Sequence, residues 1–171
     1  MAVAKPLTPT IGAEIEGLDL RKPLDPARQT WLGDQLVRYK VIFFRDQDIS
    51  AKQQLEFARQ FGTLETHPVN PKEGYPELLV LHNDSDRPPS DTAIWHSDVT
   101  WRAQPSLGSI LIARKVPEIG GDTLFADMEA AYDGLDDSVR AAIEGRHAVH
   151  RFEPMRQYLL QSGADLSLIH I

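Results

Sequence analysis

Ile94-Trp95-His96-Ser97-Asp98-Val99-Thr100-Trp101 is the stretch on which the reading of this chain turns. His96 and Asp98 stand two positions apart among β-favouring and aromatic neighbours. In an extended strand, residues i and i+2 project from the same face, so the spacing predicts an imidazole and a carboxylate closing on one point. A histidine and a carboxylate from one short segment make two thirds of the 2-His-1-carboxylate set, which holds Fe(II) and leaves further coordination positions open. The bland alternative is a surface hydrogen-bonded pair. Six His and fifteen Asp in 171 positions give about half a His-x-Asp pair by chance, so the motif needs its context.

Composition narrows that context. A chain of 171 residues fits one domain with a real core, and a single domain over residues 1–171 is expected. The 42% apolar and 25% charged residues are those of an ordinary soluble globular protein. A net charge of −7 leaves no electrostatic footprint for nucleic acid or an acidic membrane. No apolar run approaches a membrane span, and Met1-Ala2-Val3-Ala4-Lys5-Pro6 has no apolar secretory core, so a cytoplasmic location is expected. The absence of cysteine removes disulfides, thiolate zinc sites and cysteine nucleophiles together.

Taken in order, residues 7–20 alternate turn residues with short apolar stretches, predicting a strand or two. Asp25-Pro26 reads as an N-cap with proline at the first helical position, and Trp31, Leu32, Leu36 and Tyr39 recur at helical spacing up to Lys40. Val41-Ile42-Phe43-Phe44 predicts a buried strand. Ser50 and Gln53 form a capping box, Leu55, Ala58 and Phe61 supply an apolar face, and Gly62 is expected to stop that helix. Leu78-Leu79-Val80-Leu81 predicts another strand, and the polar, proline-bearing residues 83–91 a loop. Beyond the central stretch, strands are expected at 109–113, 122–127 and 147–152, a turn at Gly120-Gly121, and helices at 128–135 and 136–143. The pattern is α+β with a sandwich or jelly-roll centre.

These pieces, in this order, resemble one family. Trp95-His96-Ser97-Asp98-Val99-Thr100, then Gly120-Gly121-Asp122-Thr123, then Ala130-Ala131-Tyr132 resemble the taurine dioxygenase family of Fe(II)/2-oxoglutarate-dependent enzymes. Val41-Ile42-Phe43-Phe44-Arg45-Asp46-Gln47 and Phe61-Gly62-x-Leu64-x-x-His67-Pro68-Val69 fit its N-terminal half. The resemblance implies a double-stranded β-helix, a jelly roll with flanking helices. It implies His96 and Asp98 as metal ligands for Fe(II), and Thr123 as the hydroxyl bonded to 2-oxoglutarate. His67, the backbone of Val99, and Trp101 become the substrate-binding residues, facing a small organic anion such as a sulfonate or alkyl sulfate. Asn70 stands where taurine dioxygenase has a Tyr, and Asp91 or Thr92 where it has an Asn, which directs the expectation away from taurine itself. The implied chemistry takes O2 and 2-oxoglutarate to succinate and CO2 while a substrate C–H is hydroxylated. Whether the chain self-associates as a homo-oligomer is left open.

Part of that pattern has no match. The family's third ligand, a later His followed by an Arg for 2-oxoglutarate, is expected beyond residue 171. Residues 166–171, Leu-Ser-Leu-Ile-His-Ile, read as a foreign tail of the kind a translated sequencing adaptor leaves. The expectation is therefore an inactive N-terminal portion of a dioxygenase, with the jelly roll incomplete at its C-terminus. Two alternatives stay open: a catalytically silent jelly-roll binding module, and a small non-iron metal site completed by His147 or His150.

Overall fold

Asp25 accepts a hydrogen bond from the Arg28 amide at 2.8 Å and Pro26 follows it, so the first helix begins where the sequence places it. The structure, a computed structural model, describes residues 1–66, 71–83, 95–152, 157 and 161. The chain divides into two compact units, Met1–Thr63 with Ile112–His147, and Leu64–Leu111 with Ala148–Ile171.

The first unit opens with β1 (Val3–Pro6) and β2 (Ala13–Glu16), paired antiparallel in the register Val3↔Glu16 to Pro6↔Ala13. The connection needs Gly12 at φ +89, whose carbonyl accepts from the Leu7 amide at 2.8 Å. Helix α1 (Pro26–Tyr39) then carries the chain across to β3 (Ile42–Phe43), which pairs parallel to β2 through Ala13↔Ile42 and Glu14↔Phe43. A parallel partner demands such a crossover, and α1 supplies it. The expected strand 41–44 is therefore present but only two residues long and half-buried.

Helix α2 (Ala51–Ala58) has the capping box that Ser50 and Gln53 predict, with both reciprocal bonds in place. Two details differ from expectation. Phe57 rather than Ala58 is the second buried side chain, because it meets both Phe44 and Phe61 edge-on at 6.0 and 5.3 Å. The helix also stops at Arg59, three positions before Gly62, and a tighter turn carries it to Phe61. The core comprises Ile15, Leu18, Leu20, Leu32, Ile49 and Phe57. Burying Leu32 and Ile49, each 2% exposed, contributes about 1.5–3 kcal/mol per side chain. The unit closes with α3 (Met128–Asp133) and α4 (Asp137–Ile143), near the predicted bounds.

The second unit holds a hairpin of β4 (Pro71–Lys72) and β5 (Tyr75–Leu79), turned at Gly74 with φ +74. The strand predicted at 78–81 thus lies mostly upstream of its expected place. Helices and strands are mixed, as the α+β reading requires. Segments 109–113, 122–127 and 147–152 are not strands, contrary to expectation. Propensity alone does not make a ladder: each N–H and C=O needs a facing edge, and among the described residues none is paired with them.

Candidate metal centre

His96 and Asp98 come together, but not by strand alternation. Residues 95–97 are irregular and 98–101 form a turn, closed by the Arg102 amide donating to the Val99 carbonyl at 3.1 Å. This corrects the extended-strand expectation: the turn, not the pleat, aims the two side chains. His96 Nε2 lies 3.4 Å from Asp98 Oδ1, and both side chains are about two-thirds exposed, at 69% and 65%. Two donors at about 2.1 Å from an octahedral ion and cis to each other sit about 3 Å apart. The observed separation is a few tenths of an ångström from that, so the donor set fits two adjacent positions on one cation. Nitrogen plus carboxylate oxygen is also the borderline mix that first-row divalent metals accept.

The turn carries a backbone anomaly. Val99 has φ +47, and a β-branched residue in the left-handed region is an outlier that its surroundings must hold in place. Several contacts do so. Asp98 Oδ2 accepts from the Ser109 hydroxyl at 3.3 Å, leaving Oδ1 to the histidine. Ser97 donates to Thr100 Oγ1 at 3.2 Å, and Thr100 Oγ1 lies 2.7 Å from His150 Nδ1. Trp101 packs on Phe152 with ring centres 4.9 Å apart. Arg102 and Ser106 both donate to Glu65 Oε1, at 2.5 and 2.7 Å, tying the chain that leads toward His67 to the motif turn. Trp101 is half-buried, and its Nε1 is a buried donor with no partner among the described residues.

The other predicted residues fall elsewhere. Thr123 belongs to the first unit, exposed and outside any strand. Its segment is held at both sides: Gly120 and Gly121 take φ +77 and +75 in the predicted turn, Phe125 meets Phe43 edge-on at 6.1 Å, and Asp127 caps α3. His67, Asn70, Asp91, Thr92 and residues 166–171 lie outside the described residues. Among the described residues no three His, Asp or Glu side chains gather on one point. His150, one of the two histidines weighed for a small metal site, bonds Thr100. Ser109, Glu65 and Phe152 were not singled out by the sequence, because each acts through a contact distant along the chain.

The family profile described as taurine catabolism dioxygenase TauD, TfdA family matches residues 4–166. The chain belongs to that family. It is 36% identical over 152 residues to the (S)-phenoxypropionate/alpha-ketoglutarate-dioxygenase of Sphingobium herbicidovorans, covering 85% of this chain and 53% of the relative. It is 37% identical over 150 residues to the alpha-ketoglutarate-dependent sulfate ester dioxygenase of Pseudomonas putida, covering 86% and 49%. Among solved structures, AAD-2 in complex with Mn(II) and N-oxalylglycine superposes with a TM-score of 0.62 at 37% identity, covering 84% of this chain and 50% of that one. The chain spans about half the length of the relatives it matches.

Proposed function

We propose that this chain supplies two of three iron ligands, His96 and Asp98, to an Fe(II)- and 2-oxoglutarate-dependent dioxygenase built on a double-stranded β-helix. The observation that carries the reading is the 3.4 Å approach of His96 Nε2 to Asp98 Oδ1. Names of relatives that pair alpha-ketoglutarate with a phenoxypropionate or a sulfate ester support it. So does a structural neighbour holding Mn(II) with N-oxalylglycine, a compound isosteric with 2-oxoglutarate. The third ligand and the arginine for 2-oxoglutarate belong to a part of the protein outside these 171 residues.

When bound, Fe(II) with 2-oxoglutarate supplies the oxidising chemistry: O2 converts the co-substrate to succinate and CO2, and a substrate C–H becomes C–OH. His96 would lend a ring nitrogen and Asp98 a carboxylate oxygen. The Ser109 hydroxyl donates to the second carboxylate oxygen, Oδ2, so Oδ1 is the oxygen that would take the ion. The family resemblance gives Thr123 as the hydroxyl that would bond the co-substrate's distal carboxylate, and a hydroxyl can donate there without itself titrating. By the family resemblance, His67, the Val99 amide and Trp101 would bind the substrate, a small organic anion, in keeping with the phenoxypropionate and sulfate ester that the relatives' names give.

The test uses the full-length protein with Fe(II) and 2-oxoglutarate, measuring O2 uptake and succinate over aryloxyalkanoates, alkyl sulfates, sulfonates and taurine. Turnover on an organic anion other than taurine, lost in His96→Ala and Asp98→Ala, is expected. Activity surviving both substitutions overturns the ligand assignment. Best turnover on taurine, or on an uncharged substrate with His67→Ala without effect, overturns the substrate class.

A further inference from the structure

His147 and His150 flank a short segment that the metal chemistry leaves unused, and His150 touches the motif turn. His150 Nδ1 lies 2.7 Å from Thr100 Oγ1, two residues past Asp98. Ser97, between the two ligands, donates its hydroxyl to the same Thr100 oxygen at 3.2 Å. The Thr100 hydroxyl can donate to or accept from the ring nitrogen according to the histidine tautomer, so the bond joins the two side chains in either case. Two positions on, Phe152 is 8% exposed and packs against Trp101, the residue after Thr100. Adjacent turn residues are thus gripped by alternate residues of one segment.

That grip falls where the backbone needs it. Val99, directly before Thr100, is held at φ +47, a conformation that a β-branched residue keeps only when neighbouring contacts over-determine it. Released, the turn would relax toward ordinary φ, and His96 and Asp98 would no longer project toward one point.

We propose that His150 is a positioning residue for the metal pair: through Thr100 it holds the turn that brings His96 and Asp98 together. The inference rests on the reading of that pair as metal ligands, and the experiment separates the two. The full-length protein is titrated with Mn(II), following paramagnetic broadening of histidine ring signals, with thermal melting run on every variant. His150→Ala weakens Mn(II) binding by about tenfold, the low end for residues that orient ligands, with the melting temperature unchanged. His150→Asn, which returns a polar atom near the Nδ1 position, recovers most of that loss. His147→Ala serves as the control and binds as the parent does.

Thr100→Val removes the same bond from the other side while keeping the β-branched shape. It matches His150→Ala, and it decides the question if that variant does not fold. Mn(II) binding undiminished in His150→Ala and Thr100→Val overturns the positioning role while the ligand reading stands. Binding undiminished in His96→Ala overturns the ligand reading itself.

Discussion

The Lys40 ammonium lies 3.1 Å from Asp127 Oδ2, joining the C-terminal cap of α1 to the N-terminal cap of α3. Glu129 reaches the same nitrogen at 3.1 Å. The Asp127 carboxylate also accepts from the amides of Glu129 and Ala130, each at 3.1 Å. Two elements more than eighty positions apart in sequence are therefore pinned within the first unit by one lysine.

That arrangement fixes a pH dependence. The Ala130 amide, followed by Lys40, holds the Asp127 carboxyl below its ordinary value of 3.8. Asp19, clamped by the Arg21 guanidinium, is lowered to about 2. Lowered carboxyls stabilise the fold above their ordinary values, and that contribution disappears as pH falls through the folded ones. Lys40, raised by Glu129 and Asp127, contributes below its ordinary value of 10.5 and loses it only above the raised one. Urea midpoints measured from pH 6 down to pH 2 fall below pH 4. Asp127→Asn, which keeps the cap and removes the charge, has a shallower fall; an unchanged slope contradicts the account.

Ser50→Ala removes the cap of α2 and leaves the Gln53 amide without its partner at 3.3 Å. The expected cost is about 1 kcal/mol in equilibrium unfolding. Ser50→Asp, which can accept the same bond, restores most of it.

A β-carbon at position 17 would sit 2.6 Å from the Met1 carbonyl oxygen, and Gly17 has φ +78 besides. Gly17→Ala therefore forces β1 away from β2 and costs about 1–3 kcal/mol. Amide exchange should quicken across Val3–Pro6 first. Protection equal to the parent's would show that the strand end is looser than drawn.

Leu32→Ala empties a fully enclosed position of the core, and a loss of about 2–5 kcal/mol is expected. Leu32→Met, nearly equal in volume, should cost under about 1.5 kcal/mol. Similar losses from both would place Leu32 outside the tightly packed region.

Leu111 is 69% exposed, and Ile119 and Leu124 are 92% and 71% exposed. Scattered apolar residues on a surface are ordinary, but a run of this density binds hydrophobic dyes. The 171-residue chain should enhance ANS fluorescence well above a compact domain of its size, and Leu111→Lys with Leu124→Lys should reduce it. No enhancement would mean that these side chains find cover in solution.

Local chemistry was the legible part. The caps at Asp25 and Ser50 and the proline at the start of α1 are decided within a few residues of themselves, and each appears where the sequence puts it. The approach of His96 to Asp98 was legible too, though the reason given for it was wrong. Aromatic and β-branched neighbours argue for a strand, yet strand formation depends on a facing edge that no short window contains. The same limit accounts for segments 109–113, 122–127 and 147–152. The bonds Thr100–His150 and Ser109–Asp98 could not be foreseen either, since both are set by which distant segments meet.

The core has one more consequence, in the order of events during synthesis. Among the described residues, all six members of the core lie between Ile15 and Phe57, and of the side chains packed against it only Ile112 comes later than Phe61. At roughly 5–20 residues per second, a nascent chain has its whole buried cluster outside the ribosome several seconds before the motif turn emerges. The turn that carries His96 and Asp98 is synthesised after that cluster, and His150, which bonds Thr100 within it, arrives later still.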